Sequence, residues 1–321
     1  PWNSPIGTLI WKLAPAIAAG NTVVIKPSER ASCSTLELMK ILEEADLPEG
    51  LINVVTGFGP TTGAPLIEHQ DVRMISFTGG TKGGSAASLS ASKNVKPIIM
   101  ELGGKSPQII FKDADLTLSV NGVVSGIFPV SGHSCISGSR ILVHKDIKDK
   151  FTHNLLEVVK KAKVGHPNDT ATQIGPIANK EQYDFILSKI EAAEKRGLKL
   201  LIDGRKEQKS EGYYIGPTIF DNVPNEDDLA QNEVFGPVAS IQTWEDEDEV
   251  IKIANDTIYG LAAGIWTKDT NKAIRLADKI EAGTVYINNY FNASTQSPVG
   301  GFKQSGYGRE NGWEGMQSYM Q

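Results

Sequence analysis

Short apolar runs rich in β-branched residues alternate with segments of helical periodicity through the first hundred residues. The apolar runs predict strands at residues 22–27, 51–57, 73–79 and 97–104. The intervening segments predict helices, one within 34–50 that carries Leu36, Met39 and Leu42 on one face, and one within 60–70. Strand–helix alternation of this kind predicts a parallel sheet covered on both sides by helices.

Beyond residue 104 the alternation continues with longer helices. Apolar stripes at helical spacing predict helices within 147–165, 180–197, 247–258 and 271–283, and strand candidates lie at 198–204, 261–268 and 284–289. The acidic run at 245–249 predicts a helix start, where carboxylates favour the positive end of the helix dipole. These patterns predict a second α/β domain that does not repeat the first.

Glycines cluster directly after two of the predicted strands, in "TGFGPTTGA" (56–64) and "FTGGTKGG" (77–84). Turns of this composition let backbone N–H groups and a helix N-terminus approach a phosphate group. Neither cluster has the G-x-G-x-x-G spacing, so the spacing alone is only a weak indication of dinucleotide binding.

Composition narrows the function classes. The 321 residues suffice for two domains, 40% of them are hydrophobic, and the net charge of −6 makes nucleic acid an unsuitable partner. The sequence shows no secretory signal and no apolar run of the roughly 20 residues that span a bilayer, so we expect no membrane partner. Two cysteines in a chain of this length favour a reducing compartment, and we expect a cytoplasmic protein. Because the chain begins at Pro1 inside a segment that reads as structured, we expect it to be part of a longer protein.

Cys135 lies in "SGHSCISGSR" (131–140), among glycine and hydroxyl residues. A lowered thiol pKa would make it a nucleophile, whereas a lone cysteine is more often a small buried residue. A zinc site is not indicated, because neither cysteine has partners at ligand spacing, and we expect no metal. Cys33 has nothing around it that suggests activation.

Two polar residues stand in unusual places. Glu101 ends an otherwise apolar predicted strand in "IIMELGGKSP", where burial would raise its pKa toward that of a general base; a strand-end salt bridge is the equal alternative. Asn3 in "PWNSP" lies between prolines, where its amide could donate to an oxyanion or simply form a turn.

Taken together and in order, several blocks resemble the aldehyde dehydrogenase superfamily over nearly the whole chain. The blocks are "PWNSP", "WKLAPAIAAGNTVVIKPSE", "FTGGT", "MELGGKSP", the G-x-x-C element, "EVFGPV" and "PVGGFKQSGYGRENG". The resemblance is to the non-acylating type, which oxidises an aldehyde to the carboxylic acid with NAD as hydride acceptor. It implies an α/β fold of the aldehyde dehydrogenase type, a parallel-sheet cofactor domain plus an α/β catalytic domain, in a partial chain.

By this resemblance Cys135 is the nucleophile that forms a thiohemiacetal and then a thioester. Glu101 is the base that activates the hydrolytic water, and Asn3 joins the Cys135 backbone amide in the oxyanion hole. Lys12 and Glu310 resemble a pair that relays protons away from the base. The alternatives are a CoA-acylating dehydrogenase, which generally lacks the glutamate at the Glu101 position, and a catalytically silent structural or binding member of the fold.

The same resemblance implies the cofactor-binding residues. Lys26 and Glu29 would hold the adenosine ribose, so NAD is expected in preference to NADP, and Glu233 and Phe235 would bind and flank the nicotinamide riboside. The remaining candidates are Ser28, Gly59, Thr78, Gly79, Gly80, Leu102 and Gln182.

Two positions depart from the family pattern. Gly80 stands where a serine is usual in the "FTGS" turn, and His133 stands where the family usually has glutamine, which alters the pocket or adds a titrating group near the sulfur.

The resemblance also implies the domain limits. Residues 1–104 would be the later part of the cofactor-binding domain, 105–300 the catalytic domain, and 301–321 a return to the cofactor domain. The expected partner is a small-molecule aldehyde, and the full-length protein would be a homodimer or homotetramer.

Overall fold

The computed structural model describes residues 1–207, 211–292 and 294–320. Its helices are α1 (Pro5–Ala18), α2 (Ser32–Glu43), α3 (Ala64–Glu68), α4 (Thr81–Ser92), α5 (Leu116–Ile127), α6 (Lys148–Val159), α7 (Lys180–Lys195), α8 (Asp228–Gln231), α9 (Glu247–Asn255), α10 (Thr270–Ala277) and α11 (Gly312–Gln317). Its strands are β1 (Val23–Ile25), β2 (Ile52–Val54), β3 (Ile75–Thr78), β4 (Ile98–Glu101), β5 (Pro107–Ile110), β6 (Arg140–His144), β7 (Lys199–Ile202), β8 (Thr218–Asp221), β9 (Val238–Trp244), β10 (Tyr259–Gly260), β11 (Ala262–Trp266), β12 (Thr284–Ile287), β13 (Phe302–Lys303) and β14 (Gly306–Tyr307).

The chain divides into two compact units. The first unit consists of Pro1–Gly103 and Ala293–Gln321, and the second unit is Gly104–Asn292. No helix within the described ranges is both long and apolar enough to cross a membrane.

The first unit contains the four strands predicted from the first hundred residues, each shorter than its apolar run. β1 pairs with β2 and β3 pairs with β4, both in parallel, but the two pairs belong to separate sheets rather than to one. β14 joins β4 antiparallel from the far end of the chain, which places Gly306 opposite Glu101. Sequence periodicity did not indicate this last pairing, because a two-residue strand carries no period.

One helix face in the first unit differs from the prediction. On α2 the buried residue is Thr35, at 1% exposure, whereas Leu36 is 40% exposed. Met39 and Leu42 are half-buried, as their spacing predicts. The buried face is therefore the one that runs through Thr35, and Leu36, about 100° further around the helix, lies outside it.

The second unit is built on a seven-stranded sheet in the order β12-β11-β5-β6-β9-β8-β7. All neighbouring strands are parallel except β7 and β8. Successive residues on one strand enter different cores: Ile141 and Val143 pack with α5 and α6, while Leu142 packs with α9 and α10. Burial on both faces explains why the strands read as continuous apolar runs, and the predicted α/β class is confirmed.

Acidic or amide side chains cap the starts of α5, α7, α8, α9 and α10 in the second unit. Asp115 accepts a hydrogen bond from the Leu118 amide at the start of α5. The acidic run at 245–249 begins α9, as predicted, with Asp246 as the N-cap that accepts from the Glu249 amide. Such caps satisfy backbone donors that have no partner inside the helix.

Candidate functional site

Glu101 ends β4 beside the end of its parallel neighbour. The β3–β4 register pairs Thr78 with Glu101, and the Gly79 amide donates to the Glu101 carbonyl at 3.1 Å. Because carboxyl ends of parallel strands meet at one edge, the apolar run before Glu101 delivers its carboxylate to a buried strand end. The Thr78 hydroxyl is also buried there and has no hydrogen-bond partner among the described residues.

The Glu101 carboxyl group is held in its protonated form to unusually high pH. Its Oε1 is buried and accepts no hydrogen bond from the described residues. Burial, and after it the negative charge of Glu310, raise the pKa of Glu101 to about 8 against the opposing charges of Lys12 and Arg309. The fraction of Glu101 that is ionised near neutral pH is a stronger base than an ordinary carboxylate and can accept a proton, and this fraction grows as the pH rises toward 8.

Lys12 and Glu310 form an ion pair within the first unit. Lys12 on α1 donates to a Glu310 carboxylate oxygen, and the Glu310 side chain is only 1% exposed. Glu310 is also joined to Val299 by a backbone bridge. Three predicted catalytic residues, Glu101, Lys12 and Glu310, therefore lie close enough for the charges of Lys12 and Glu310 to change the pKa of Glu101. Asn3 lies half-buried in the same unit, two residues before the start of α1.

Lys26 follows β1 and is fixed by the backbone. Its Nζ donates to the Pro27 carbonyl at 2.6 Å and to the Gly57 carbonyl at 2.9 Å, and a Glu29 carboxylate oxygen lies 4.0 Å from Nζ. An ammonium group has three protons, so one proton has no hydrogen-bond acceptor among the residues that the structure describes. The Glu29 side chain is 39% exposed, and Ser28 Oγ accepts from the Arg30 amide at 3.3 Å.

Two of the predicted cofactor glycines border open space. A Cβ atom at Gly59 or at Gly80 would meet no heavy atom within 4 Å. Gly80 is the N-cap of α4, so the free amides of that helix begin beside it. These positions fit the approach of a phosphate or ribose group to bare backbone.

Packing explains in part why glycine and leucine occur at positions 79 and 102. A Cβ at Gly79 would lie 2.8 Å from the Phe77 ring, and Leu102 fills the space that a Cβ at Gly84 would need. Leu102 also belongs to a small buried cluster with Ala87.

Cys135 lies in the second unit, in the loop between α5 and β6. The turn before it has positive φ at Val130 (54°) and Ser131 (55°), and the thiol-bearing residue is half-buried. A Cβ at Gly104 would lie 2.3 Å from the Cys135 carbonyl oxygen, and one at Gly132 would lie 2.2 Å from the backbone of Gly236. The glycines that surround Cys135 in sequence and space therefore permit close packing of its backbone.

Glu233 and Phe235 line a cleft beside this loop, together with Gly104, Ser134 and other small residues. Glu233 Oε1 accepts from the Gly104 amide at 3.0 Å, and burial raises the pKa of Glu233 to about 7. Gln182 on α7 donates to the carbonyls of Val234, at 2.9 Å, and Phe235, at 3.1 Å. Gln182 thus supports the Glu233–Phe235 segment through backbone contacts.

His133 is stacked on Phe235, with ring centroids 5.8 Å apart and an interplanar angle of 20°. Burial lowers the pKa of His133 to about 4, so the imidazole is neutral at physiological pH. His133 therefore packs against Phe235 and does not supply a group that titrates near neutrality.

Sequence reasoning did not single out Lys105 or Arg140. Lys105 is 2% exposed, and burial together with the charge of Arg140 lowers its pKa to about 7. Arg140 is fully buried and donates to the carbonyls of Lys105, Ile253 and Ala254. The sequence feature that could have indicated Lys105 is its position in "ELGGKSPQII", directly after two glycines and just before an apolar strand. No group of three or more His, Cys, Asp or Glu residues in the described part of the chain is placed to hold a metal ion.

Comparisons with known proteins agree on one family. The family model described as "Aldehyde dehydrogenase family" matches residues 1–321. Aldehyde dehydrogenase 1A1 of Gallus gallus is 46% identical over 322 residues, an alignment that covers 100% of this chain and 63% of the relative. The chain thus spans a little under two thirds of that relative's length.

Two solved structures extend the comparison to the fold. A putative aldehyde dehydrogenase from Burkholderia cenocepacia has a TM-score of 0.98 and 41% identity, covering 100% of this chain and 66% of that one. An aldehyde dehydrogenase from Bacillus cereus, solved as an NAD+ complex, has a TM-score of 0.98 and 37% identity, covering 100% and 65%. The fold expected from the sequence is confirmed, and the chain belongs to the aldehyde dehydrogenase family.

Proposed function

We propose that the protein containing this chain oxidises an aldehyde to the carboxylic acid, with NAD as hydride acceptor and Cys135 as nucleophile. The observation that carries the proposal is Glu101: a buried carboxyl group whose Oε1 has no hydrogen-bond partner among the described residues and whose pKa is about 8. A buried carboxyl group left in this state is costly for folding, which favours a functional role over a structural one. Family membership and the close-packed loop of Cys135 support the same reading.

The residues in each unit fit a nicotinamide dinucleotide. In the first unit, Lys26 retains one ammonium proton and Glu29 an exposed carboxylate, both suited to ribose hydroxyls, while Gly80 leaves a helix N-terminus uncovered. In the second unit, Glu233 is a buried carboxylate that can accept from a ribose hydroxyl. When bound, the nicotinamide supplies an acceptor for the hydride of the aldehyde carbon. The Bacillus cereus relative is described as an NAD+ complex, which supports NAD as the cofactor.

The chemistry of the chain's own residues divides into two stages. Cys135 sulfur attacks the aldehyde carbon, and the side-chain amide of Asn3 with the Cys135 backbone amide stabilises the developing oxyanion. After oxidation the acyl group remains on Cys135 as a thioester. Glu101 then takes a proton from the water that hydrolyses it, and Lys12 with Glu310 carries that proton away.

Two parts of the chain, close to the two compact units but not identical with them, would then have distinct tasks. We assign residues 1–104 and 301–321 to cofactor binding and 105–300 to catalysis. The full-length protein would be a cytoplasmic homodimer or homotetramer; the low cysteine content, two in 321 residues, favours a reducing compartment.

The test is NADH formation by the full-length protein with a panel of aliphatic, aromatic, amino- and semialdehydes. We expect absorbance of NADH to rise with at least one aldehyde and NAD, and the acid to accumulate without added CoA. A protein that forms no NADH with any aldehyde, or forms it only when CoA is present, contradicts the proposal.

A further inference from the structure

The backbone directly after Cys135 is anchored by a residue from a distant part of the second unit. The Tyr290 hydroxyl donates to the carbonyl of Ile136 at 2.8 Å. Ile136 is the residue that follows Cys135, and Tyr290 lies beyond the end of β12. This hydrogen bond therefore holds the peptide next to the nucleophile from a different element of the fold.

A second anchor acts three residues after Cys135. Gln108 on β5 has its Oε1 bound by the Trp266 indole N–H at 3.1 Å, which turns its Nε2 toward the Gly138 carbonyl at 3.5 Å. A Cβ at Gly138 would lie 2.4 Å from that Nε2. The loop is thus positioned by buried polar side chains on both β5 and the segment after β12.

The Tyr290 ring has little freedom to tilt. Cβ atoms at Gly126 and Gly264 would lie 2.8 Å and 2.9 Å from the ring, so only glycines leave room for it on these two sides. Asn288, at a φ of 51°, accepts from the Thr267 amide at 3.0 Å and donates to the Thr267 carbonyl at 2.8 Å. This pairing fixes the turn from which Tyr290 projects.

We propose that Tyr290 is a positioning residue for Cys135: by holding the Ile136 carbonyl, its hydroxyl sets the orientation of the nucleophile's thiol and backbone amide for attack. The inference rests on the proposed role of Cys135 as nucleophile. Burial raises the pKa of Tyr290, so its hydroxyl keeps the proton and remains a donor near neutral pH.

The matched pair of variants is Tyr290→Phe and Tyr286→Phe in the full-length protein. Each removes one phenolic oxygen from the same aromatic pair, whose ring centroids are 4.9 Å apart. Among the described residues, however, only the Tyr290 hydroxyl binds the carbonyl of Ile136. The readouts are the rate constant and the amplitude of the NADH burst, the affinity for NAD, and the rate at which iodoacetamide alkylates Cys135 by displacement of iodide.

For Tyr290→Phe we expect burst and alkylation rate constants about 10-fold lower, because small misplacement of a nucleophile is costly. The burst amplitude per subunit and the affinity for NAD should stay close to wild type. Tyr286→Phe should change both rate constants by less than about twofold.

If Tyr290 only stabilised the fold, Tyr290→Phe would give the opposite result. The amplitude of the NADH burst would fall, because fewer sites would be folded, and the burst and alkylation rate constants would stay unchanged. That result, or equal slowing in both variants, overturns the inference. Alkylation needs no aldehyde turnover, so it reports on Tyr290 even if the wild type oxidises no aldehyde, an outcome that would instead count against the proposed function.

Discussion

The carboxylate of Glu310 raises the pKa of Glu101. Glu310 is itself 1% exposed and bound by Lys12, so its negative charge is poorly screened by water. Glu101 therefore carries both a burial penalty and a like-charge penalty on its ionised form. This relationship gives the proposed base a pH dependence that can be altered by substitution at a residue other than the base itself.

Glu310→Gln should shift the pH dependence of thioester hydrolysis. In the wild type the hydrolysis rate should rise with pH as Glu101 loses its proton, near its pKa of about 8. Removing the Glu310 charge leaves burial and the opposing charge of Lys12, so the pKa of Glu101 falls and the rising limb moves about one pH unit lower. The measurement is the hydrolysis rate constant of the acylated enzyme against pH.

The exposed Glu314, on the helix that follows, provides the control for that shift. Glu314→Gln removes the same charge but should leave the limb in place. An unmoved limb in Glu310→Gln would show that Glu310 does not set the pKa of Glu101.

Glu101→Gln should slow hydrolysis much more than hydride transfer. Acylation of Cys135 does not need an activated water, so a burst of NADH should precede a very slow steady state. We expect the steady-state rate to fall by about 10²- to 10⁴-fold while the burst persists. Stopped-flow absorbance measures both phases. Loss of the burst itself would mean that Glu101 acts earlier, for example by deprotonating Cys135.

The same substitution should also change how stability depends on pH. The pKa of Glu101 is raised from 4.5 to about 8, so between these values the folded state holds a proton that the unfolded state releases. In the wild type, the contribution of Glu101 to the free energy of unfolding therefore falls as pH rises from 4.5 to 8. Above pH 8 its destabilising effect is complete. Glu101→Gln removes the penalty, so its melting temperature should exceed that of the wild type by on the order of a few degrees at pH 8 and by less at pH 5. A difference that does not grow with pH contradicts the buried ionisation.

Cys135→Ala should abolish dehydrogenase activity while leaving NAD affinity within about twofold of wild type, because the covalent bond to substrate is made by the thiol alone. Activity is followed by NADH absorbance and affinity by protein fluorescence quenching. Cys33→Ala is the matched control: Cys33 is exposed on the first turn of α2, and its removal should be nearly silent. Substantial turnover by Cys135→Ala would remove Cys135 from the role of nucleophile.

Glu29→Ser should weaken the preference for NAD over NADP. In the wild type the Glu29 carboxylate, 4.0 Å from Lys26 Nζ, would face the 2′-phosphate of NADP, and the repulsion costs roughly 1–3 kcal/mol in a partly desolvated site. Because Lys26 attracts the phosphate, we expect a moderate preference of about 10- to 100-fold in kcat/KM. The ratio of kcat/KM for the two cofactors in both proteins decides this. An unchanged ratio would exclude Glu29 as the selector.

Local sequence patterns predicted the surroundings of single polar side chains better than the buried face of a helix. The apolar run before Glu101 predicted a buried carboxylate at a strand end, and the structure places it there on β4. The close packing of the Cys135 loop, where Cβ atoms at Gly104 and Gly132 would lie 2.3 Å and 2.2 Å from neighbouring backbone, is a finding of the structure alone. The periodic stripe on α2 was less reliable, because its buried face runs through Thr35 rather than Leu36. A three-residue stripe cannot distinguish two faces that differ by one position on the helix.

The sequence by itself determined the α/β class, the approximate positions of most helices and strands, and, through ordered motifs, the family. These depend on local periodicity and on blocks that are contiguous along the chain. Only the tertiary structure decided the contacts between distant segments: β14 beside β4, the charge of Glu310 acting on Glu101, the neutral state of His133, and Tyr290 bound to Ile136. The physical reason is that burial and unscreened charge depend on which residues meet in space. Residues more than a hundred positions apart, such as Tyr290 and Ile136, leave no periodic signal of their meeting.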